Sequence, residues 1–110
     1  MEPEDKKEIA ERTVKLPDGR TLIYSCYLSE TGAEWIRHGP FREILPSGVV
    51  VGEGEYKDGK ESGIWRDRHD NGIVAAQGSY TLGLEQGWWH FWDDTGREER
   101  ADFYRNGVAS

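Results

Sequence analysis

The sequence predicts an all-β chain, an antiparallel meander of short β-hairpins repeating every 24 residues. Three observations predict it. First, five columns share one period: Gly39, Gly63 and Gly87; Phe41, Trp65 and Trp89; Gly48, Gly72 and Gly96; Tyr56, Tyr80 and Tyr104; Gly59, Gly83 and Gly107. Second, turn dipeptides recur at two places in each unit. Asn71-Gly72, Ser47-Gly48 and Thr95-Gly96 mark one place, and Asp58-Gly59 and Asn106-Gly107 mark the other. Asn-Gly between apolar runs is a strong hairpin signal, because glycine accepts a positive φ without steric cost. Third, the apolar content is lean at 35%, yet five Trp, five Tyr and three Phe supply large rings, which suits a thin sheet better than a thick globule.

The elements follow in order along 110 residues, a length suited to one domain. Residues 1–12 are charged and lack turn signals, and read as a charged tail or short helix. Residues 13–38 form a degenerate half-unit in which Gly19 stands eight residues before Tyr27, as Gly48 stands before Tyr56. Its junction carries five extra residues, including Trp35. Terminal repeats are often atypical because they cap a stack. Three full units follow at 39–62, 63–86 and 87–110. In the middle unit the strands are expected near 63–69 and 73–81, giving about seven short strands in the whole chain.

Side chains alternate between the faces of a strand. Strict alternation puts Val50, Gly52, Gly54 and Tyr56 on one face, and Val74, Ala76, Gly78 and Tyr80 likewise. Glycine weakens a strand unless something large packs there. The column ring, Phe41, Trp65 or Trp89, is therefore expected to lie over these small residues. In the third unit Glu98, Arg100 and Asp102 precede Tyr104, which predicts a solvated edge that discourages edge-to-edge pairing.

The segment Tyr56-Lys57-Asp58-Gly59-Lys60-Glu61-Ser62-Gly63-Ile64-Trp65 resembles the MORN signature, Tyr-x-x-Gly-x-x-x-Gly-x-Trp, and Tyr80 to Trp89 repeats it. The 24-residue period with its Asn-Gly turn is similar to bacterial MORN-repeat variants, some of which are labelled antitoxins. The resemblance covers about residues 18–108. It implies successive antiparallel hairpins and binding to a partner, and it brings no shared catalytic residues. Repeats of this kind serve many partners, so the resemblance speaks to architecture more than to function.

The net charge of −7 argues against phosphate binding and against docking on anionic lipid, and it suits a basic protein partner. The lone Cys26 cannot form a disulfide within the chain and reads as a small buried hydrophobe. No apolar run approaches the roughly 20 residues of a membrane span. Met1 to Asp5 offer no basic or apolar leader, so a cytoplasmic location is expected. The carboxylates Asp93, Asp94, Glu98 and Glu99 flank a turn, where both members of any pair are expected to be solvated rather than shielded for acid–base work. His38, His69 and His90 show no metal-ligand spacing, and nucleophile and phosphate-loop motifs are absent. No enzyme activity, cofactor or metal is expected.

The most unusual stretch is Trp88-Trp89-His90-Phe91-Trp92. Trp89 belongs to the column, whereas Trp88, His90 and Trp92 point to the opposite face, beside Arg42, Arg66 and Arg68 of the earlier units. Trp and Arg are enriched in interface hot spots. These six residues are the candidate partner surface, unless Trp88 and Trp92 pack within the monomer. The expected function is non-enzymatic protein binding, in its sharpest form toxin neutralisation. A scaffolding module, a peripheral membrane module and self-association are the other readings.

Overall fold

The computed structural model describes residues 8–110. Among them nine strands form one antiparallel sheet: β1 Ala10–Lys15, β2 Thr21–Leu28, β3 Trp35–Ile44, β4 Val50–Lys57, β5 Lys60–Arg68, β6 Val74–Thr81, β7 Leu84–Trp92, β8 Glu98–Arg105 and β9 Val108–Ala109. Each strand pairs with the next in chain order, which makes the sheet a pure meander. The radius of gyration is 16.1 Å. A compact domain of this length would have about 13 Å. The described chain is thus an extended single layer, and neither face is covered by a second one.

Two strands exceed the expected number. β9 is a two-residue closure on Tyr104 and Arg105. β1 falls partly in the segment expected to be a tail or helix. Residues 1–7 lie outside the described residues, while Ala10, Arg12 and Val14 face Cys26, Tyr24 and Leu22 across the pair. β1 covers the edge of β2 and closes over Cys26, which is fully buried and donates its S–H to the Ala10 carbonyl at 3.6 Å.

The 24-residue period holds at the level of backbone pairing. Gly39 pairs with Tyr56, Gly63 with Tyr80 and Gly87 with Tyr104. The turns repeat as well, and they are of two kinds. At the first, Gly72 N–H donates to the His69 carbonyl and His69 N–H to the Ile73 carbonyl, both at 2.8 Å. The same pair of bonds closes the loops at Leu16, Leu45 and Asp93. Only the glycine of this three-residue loop has a positive φ, 91° at Gly72. That is a turn followed by a glycine bulge, rather than the two-residue turn suggested by Asn71-Gly72. The two-residue turn occurs at the second place, where both central residues are left-handed: Asp58 at 49° with Gly59 at 87°, and Leu82 at 52° with Gly83 at 81°. Gly59, Gly83 and Gly107 each donate a hydrogen bond back to a strand of the preceding hairpin, at Arg37, Glu61 and Glu85.

Bulges explain the aromatic column. Between the pairs Glu53–Arg66 and Glu55–Ser62, the single residue Gly54 faces three, Gly63, Ile64 and Trp65. The same arrangement sets Gly78 against Gly87, Trp88 and Trp89. The third residue of each triplet is thrown onto the facing glycine. A methyl group at Gly54 would overlap the Trp65 ring, and one at Gly78 the Trp89 ring, closer than the 3.0 Å that real Cβ atoms respect. The indole N–H groups donate to the Glu55 and Ser79 carbonyls at 3.0 and 3.1 Å. The rings therefore lie over the small residues as expected. They join in one spine: Phe41 to Tyr56 at 5.6 Å, Tyr56 to Trp65 at 5.2 Å, Trp65 to Tyr80 at 6.1 Å and Tyr80 to Trp89 at 5.1 Å.

Strict alternation fails at three matching places. One extra residue, Val51 in β4, Ala75 in β6 and Glu99 in β8, shifts the register so that Val50 pairs with Ile44, Val74 with Arg68 and Glu98 with Trp92. A one-residue slip moves a side chain to the other face. Val50, Val74 and Glu98 thus sit opposite the spine, not on the face expected for them. Tyr27 also departs from its assigned column. It packs on His38 at 5.5 Å and bonds Asp58 at 2.7 Å, while Tyr24 stacks on Phe41 at 6.5 Å, and Phe41 pairs with Tyr24 directly.

Candidate functional site

The two faces of the sheet differ in chemistry. The face opposite the spine, here the reverse face, carries all six candidate residues. The middle residues of the triplets, Ile64 and Trp88, project outward and are 61% and 59% exposed. Pro40 occupies the corresponding place two strands earlier and is exposed as well. Two strands span about 10 Å, so the three form an apolar row across the sheet. Pro40 and Ile64 border a shallow groove of about 430 Å³ together with Arg42, Glu53, Glu55 and Arg66. Phe103, paired with Trp88, meets its ring edge-on at 5.2 Å and widens the row.

The candidate residues divide into exposed and engaged groups. Arg42 and Trp88 are exposed. Trp92 is half-buried and stacks on His90 at 5.9 Å, and it borders a second groove with Val74 and Gln77. His90 Nδ1 lies 2.8 Å from Glu98. Arg66 and Arg68 both reach Glu53, at 3.3 and 2.7 Å, and Arg66 also donates to Gln77 at 2.8 Å. The expected row of available arginine donors is therefore mostly spent within the sheet. The register places Glu53 directly opposite Arg66, which is what brings the three together. Arg42 lines the groove beside Pro40 and Ile64.

The spine face holds much of the acidity. Glu61 pairs with Tyr56, Glu85 with Tyr80, and Asp67 lies across Gly52 from Glu43. Burial, with Glu43 adding, raises the Asp67 carboxyl above its ordinary range. The Tyr80 hydroxyl is pushed up to about 12, first by burial and then by Glu85, Glu61 and Asp67. At one end of the spine sits a cation. The Arg37 guanidinium lies 4.7 Å from the Tyr24 ring centre, 5.3 Å from that of Phe41 and 5.4 Å from that of Tyr56. Sequence reasoning did not single out Arg37; its signal is that the matching positions, 24 and 48 residues on, are Glu61 and Glu85.

Asp93, Glu98 and the three histidines have structural partners. Asp93 ties its turn together by accepting from the Thr95 hydroxyl at 2.6 Å and from the Thr95 and Arg97 amides, which hold its carboxyl below the usual range. His69 bonds the Trp92 carbonyl at 2.8 Å. Among the described residues, no three His, Cys, Asp or Glu side chains gather where a metal could bind. None of their helices is long and apolar enough to cross a membrane. No family model matches the chain, and comparisons with curated proteins and with solved structures find no significant similarity to it.

Proposed function

We propose that this chain is a non-enzymatic, MORN-type protein-binding module that docks its partner on the reverse face. One observation carries the reading: the row of Pro40, Ile64 and Trp88, extended by Phe103, lies open on a sheet of a single layer. Exposed apolar rows of this kind mark interaction sites. An aromatic anchor with polar groups beside it, here Trp88 with His90 two residues along the same face of β7, is the usual form of an energetic hot spot. Toxin neutralisation is the sharpest version, supported by the resemblance to antitoxin-labelled repeats and by a net charge of −7 that speeds encounter with a basic protein.

A photo-crosslinking residue in place of Trp88, expressed in the native host, tests this. The expected result is one dominant protein adduct, absent when the same group replaces the exposed Lys15 on the edge strand β1. Trp88→Ala combined with Trp92→Ala should then weaken binding of that protein by about 2 kcal/mol or more while the far-UV spectrum is retained. A basic toxin as the adduct supports neutralisation, and an assembly component supports scaffolding. Undiminished binding by the double variant would refute the docking face.

A further inference from the structure

We propose that the spine face binds the arginine or lysine side chains of a basic segment of a partner protein, one cation over Trp65 and Tyr80 and the next beside Glu85. This surface lies on the opposite side of the sheet from Trp88 and does not depend on the docking reading above.

The chain itself shows the chemistry of the site. In the first unit the spine already holds a guanidinium: Arg37 covers the rings of Tyr24, Phe41 and Tyr56, and donates to the Tyr56 hydroxyl at 3.3 Å. A cation within about 6 Å of a ring centre is attracted by the negative face of the π-system. The repeat carries this geometry forward. Phe41 becomes Trp65, the best ring for a cation, and Tyr56 becomes Tyr80. Backbone position 37 becomes 61, and both carbonyls accept the same bond from a turn glycine, Gly59 in one unit and Gly83 in the next.

The side chain at that position, however, reverses its charge. Arg37 is replaced by Glu61 and then by Glu85. Tyr24, which forms one wall of the Arg37 cage, has Gly54 as its counterpart opposite Trp65. The middle unit thus keeps the rings and supplies a carboxylate instead, and among the described residues no cation lies over Trp65 or Tyr80. Trp65 and Tyr80 are half-buried, so ring surface remains accessible, and Asp67 adds a further negative charge nearby. A half-desolvated ring pair under a negative field is complementary to a guanidinium or ammonium from outside.

Spacing narrows the partner further. Glu61 and Glu85 recur two strands apart, about 10 Å. A segment crossing the strands in polyproline II form, with three residues per turn and about 3.1 Å per residue, therefore turns a cation to the same side at each position when Arg or Lys recurs at every third residue.

The test uses the full chain and a short Gly/Ser peptide bearing arginine at every third position, with a matched peptide in which citrulline replaces arginine. Citrulline keeps the shape and hydrogen bonding while removing the charge. Titration followed through the indole N–H resonances should move Trp65 while leaving Trp88 in place, and the citrulline peptide should bind at least tenfold more weakly. Glu61→Arg installs the first unit's arrangement in the second and should abolish the Trp65 response while the spectrum of the rest of the sheet is retained. Glu61→Gln should weaken binding less. Equal affinity for the two peptides, no Trp65 shift, or full binding by Glu61→Arg would overturn the proposal. A shift confined to Trp88 would do the same, and would leave the reverse-face docking reading standing.

Discussion

Gly78→Ala adds one methyl group where the Trp89 ring already lies, and its cost follows from three contacts. The new Cβ would overlap the Cγ, Cδ2 and Cε2 atoms of a ring that is only 6% exposed, so the ring must move. Forced overpacking costs about 1–3 kcal/mol. A displaced ring loses the indole hydrogen bond to the Ser79 carbonyl, now 3.1 Å, worth about 1 kcal/mol. It also loses the edge-on contact with Tyr80 at 5.1 Å, worth about 0.5–1.5 kcal/mol. Alanine is better than glycine in a strand by about 0.5–1 kcal/mol, which offsets part of this. The net expectation is a loss of about 2–4 kcal/mol, a large share of the 5–15 kcal/mol typical of a domain. Gly52→Ala is the control. Its Cβ would sit 3.6 Å from Asp67 and 3.7 Å from Glu43, an ordinary contact, and the matching residue one unit later is already Ala76. That variant should be neutral or slightly more stable. Urea denaturation followed by far-UV circular dichroism measures both, and a Trp89→Ala background completes a double-mutant cycle. Without the ring, Gly78→Ala should lose its penalty. A cost below about 1 kcal/mol in the native background, or an equal cost in both backgrounds, would refute the packing argument.

Four further outcomes are expected. Trp65→Ala should cost about 3–5 kcal/mol, and Trp88→Ala about 1 kcal/mol or less, because only the first ring is part of the spine; equal losses in urea would show the faces are reversed. Leu82→Asn should stabilise by about 1 kcal/mol, since Leu82 holds a left-handed φ of 52° where the equivalent turns have Asp58 and Asn106; a raised midpoint on thermal melting checks it. Tyr80 keeps its proton to about pH 12 in the folded chain, against about 10 unfolded, so its contribution is complete below pH 10 and is lost as pH rises from 10 towards 12. Denaturation midpoints should fall across that window, less so in Tyr80→Phe, and an identical fall in both proteins would contradict the assignment. Co-sedimentation with anionic vesicles at physiological salt should be negligible, given the charge of −7.

Much of the fold was legible in the sequence because each column has a mechanical role. Gly63 and Trp65 are two ends of one bulge, and Gly54 is the space the ring needs, so their spacing encodes the register. Other features left no such mark. Val51 and Ala75 look like ordinary strand residues, yet each is the extra residue that turns Val50 and Val74 to the reverse face. Asn71-Gly72 suits either a two-residue or a three-residue loop, and backbone bonds at His69 select the second. β1 reads Ala-Glu-Arg-Thr-Val-Lys, with little of the apolar alternation that announces a strand, because most of its side chains are exposed. At the candidate surface, the outward direction of Trp88 was legible from its parity against Trp89. The capture of Arg66 and Arg68 by Glu53 was not, since it depends on cross-strand register rather than on sequence neighbours.

Solvent paramagnetic relaxation enhancement, read at the five tryptophan side chains with an inert gadolinium chelate, tests most directly whether one face is filled by a spine and the other left open. Trp88, at 59% exposure, should relax strongly and Trp35, at 49%, nearly as strongly. Trp65 and Trp92 should fall between, and Trp89, at 6%, should be nearly protected. Protection of Trp88 equal to that of Trp89 in the monomer would contradict the open face and remove the basis for a partner docking there.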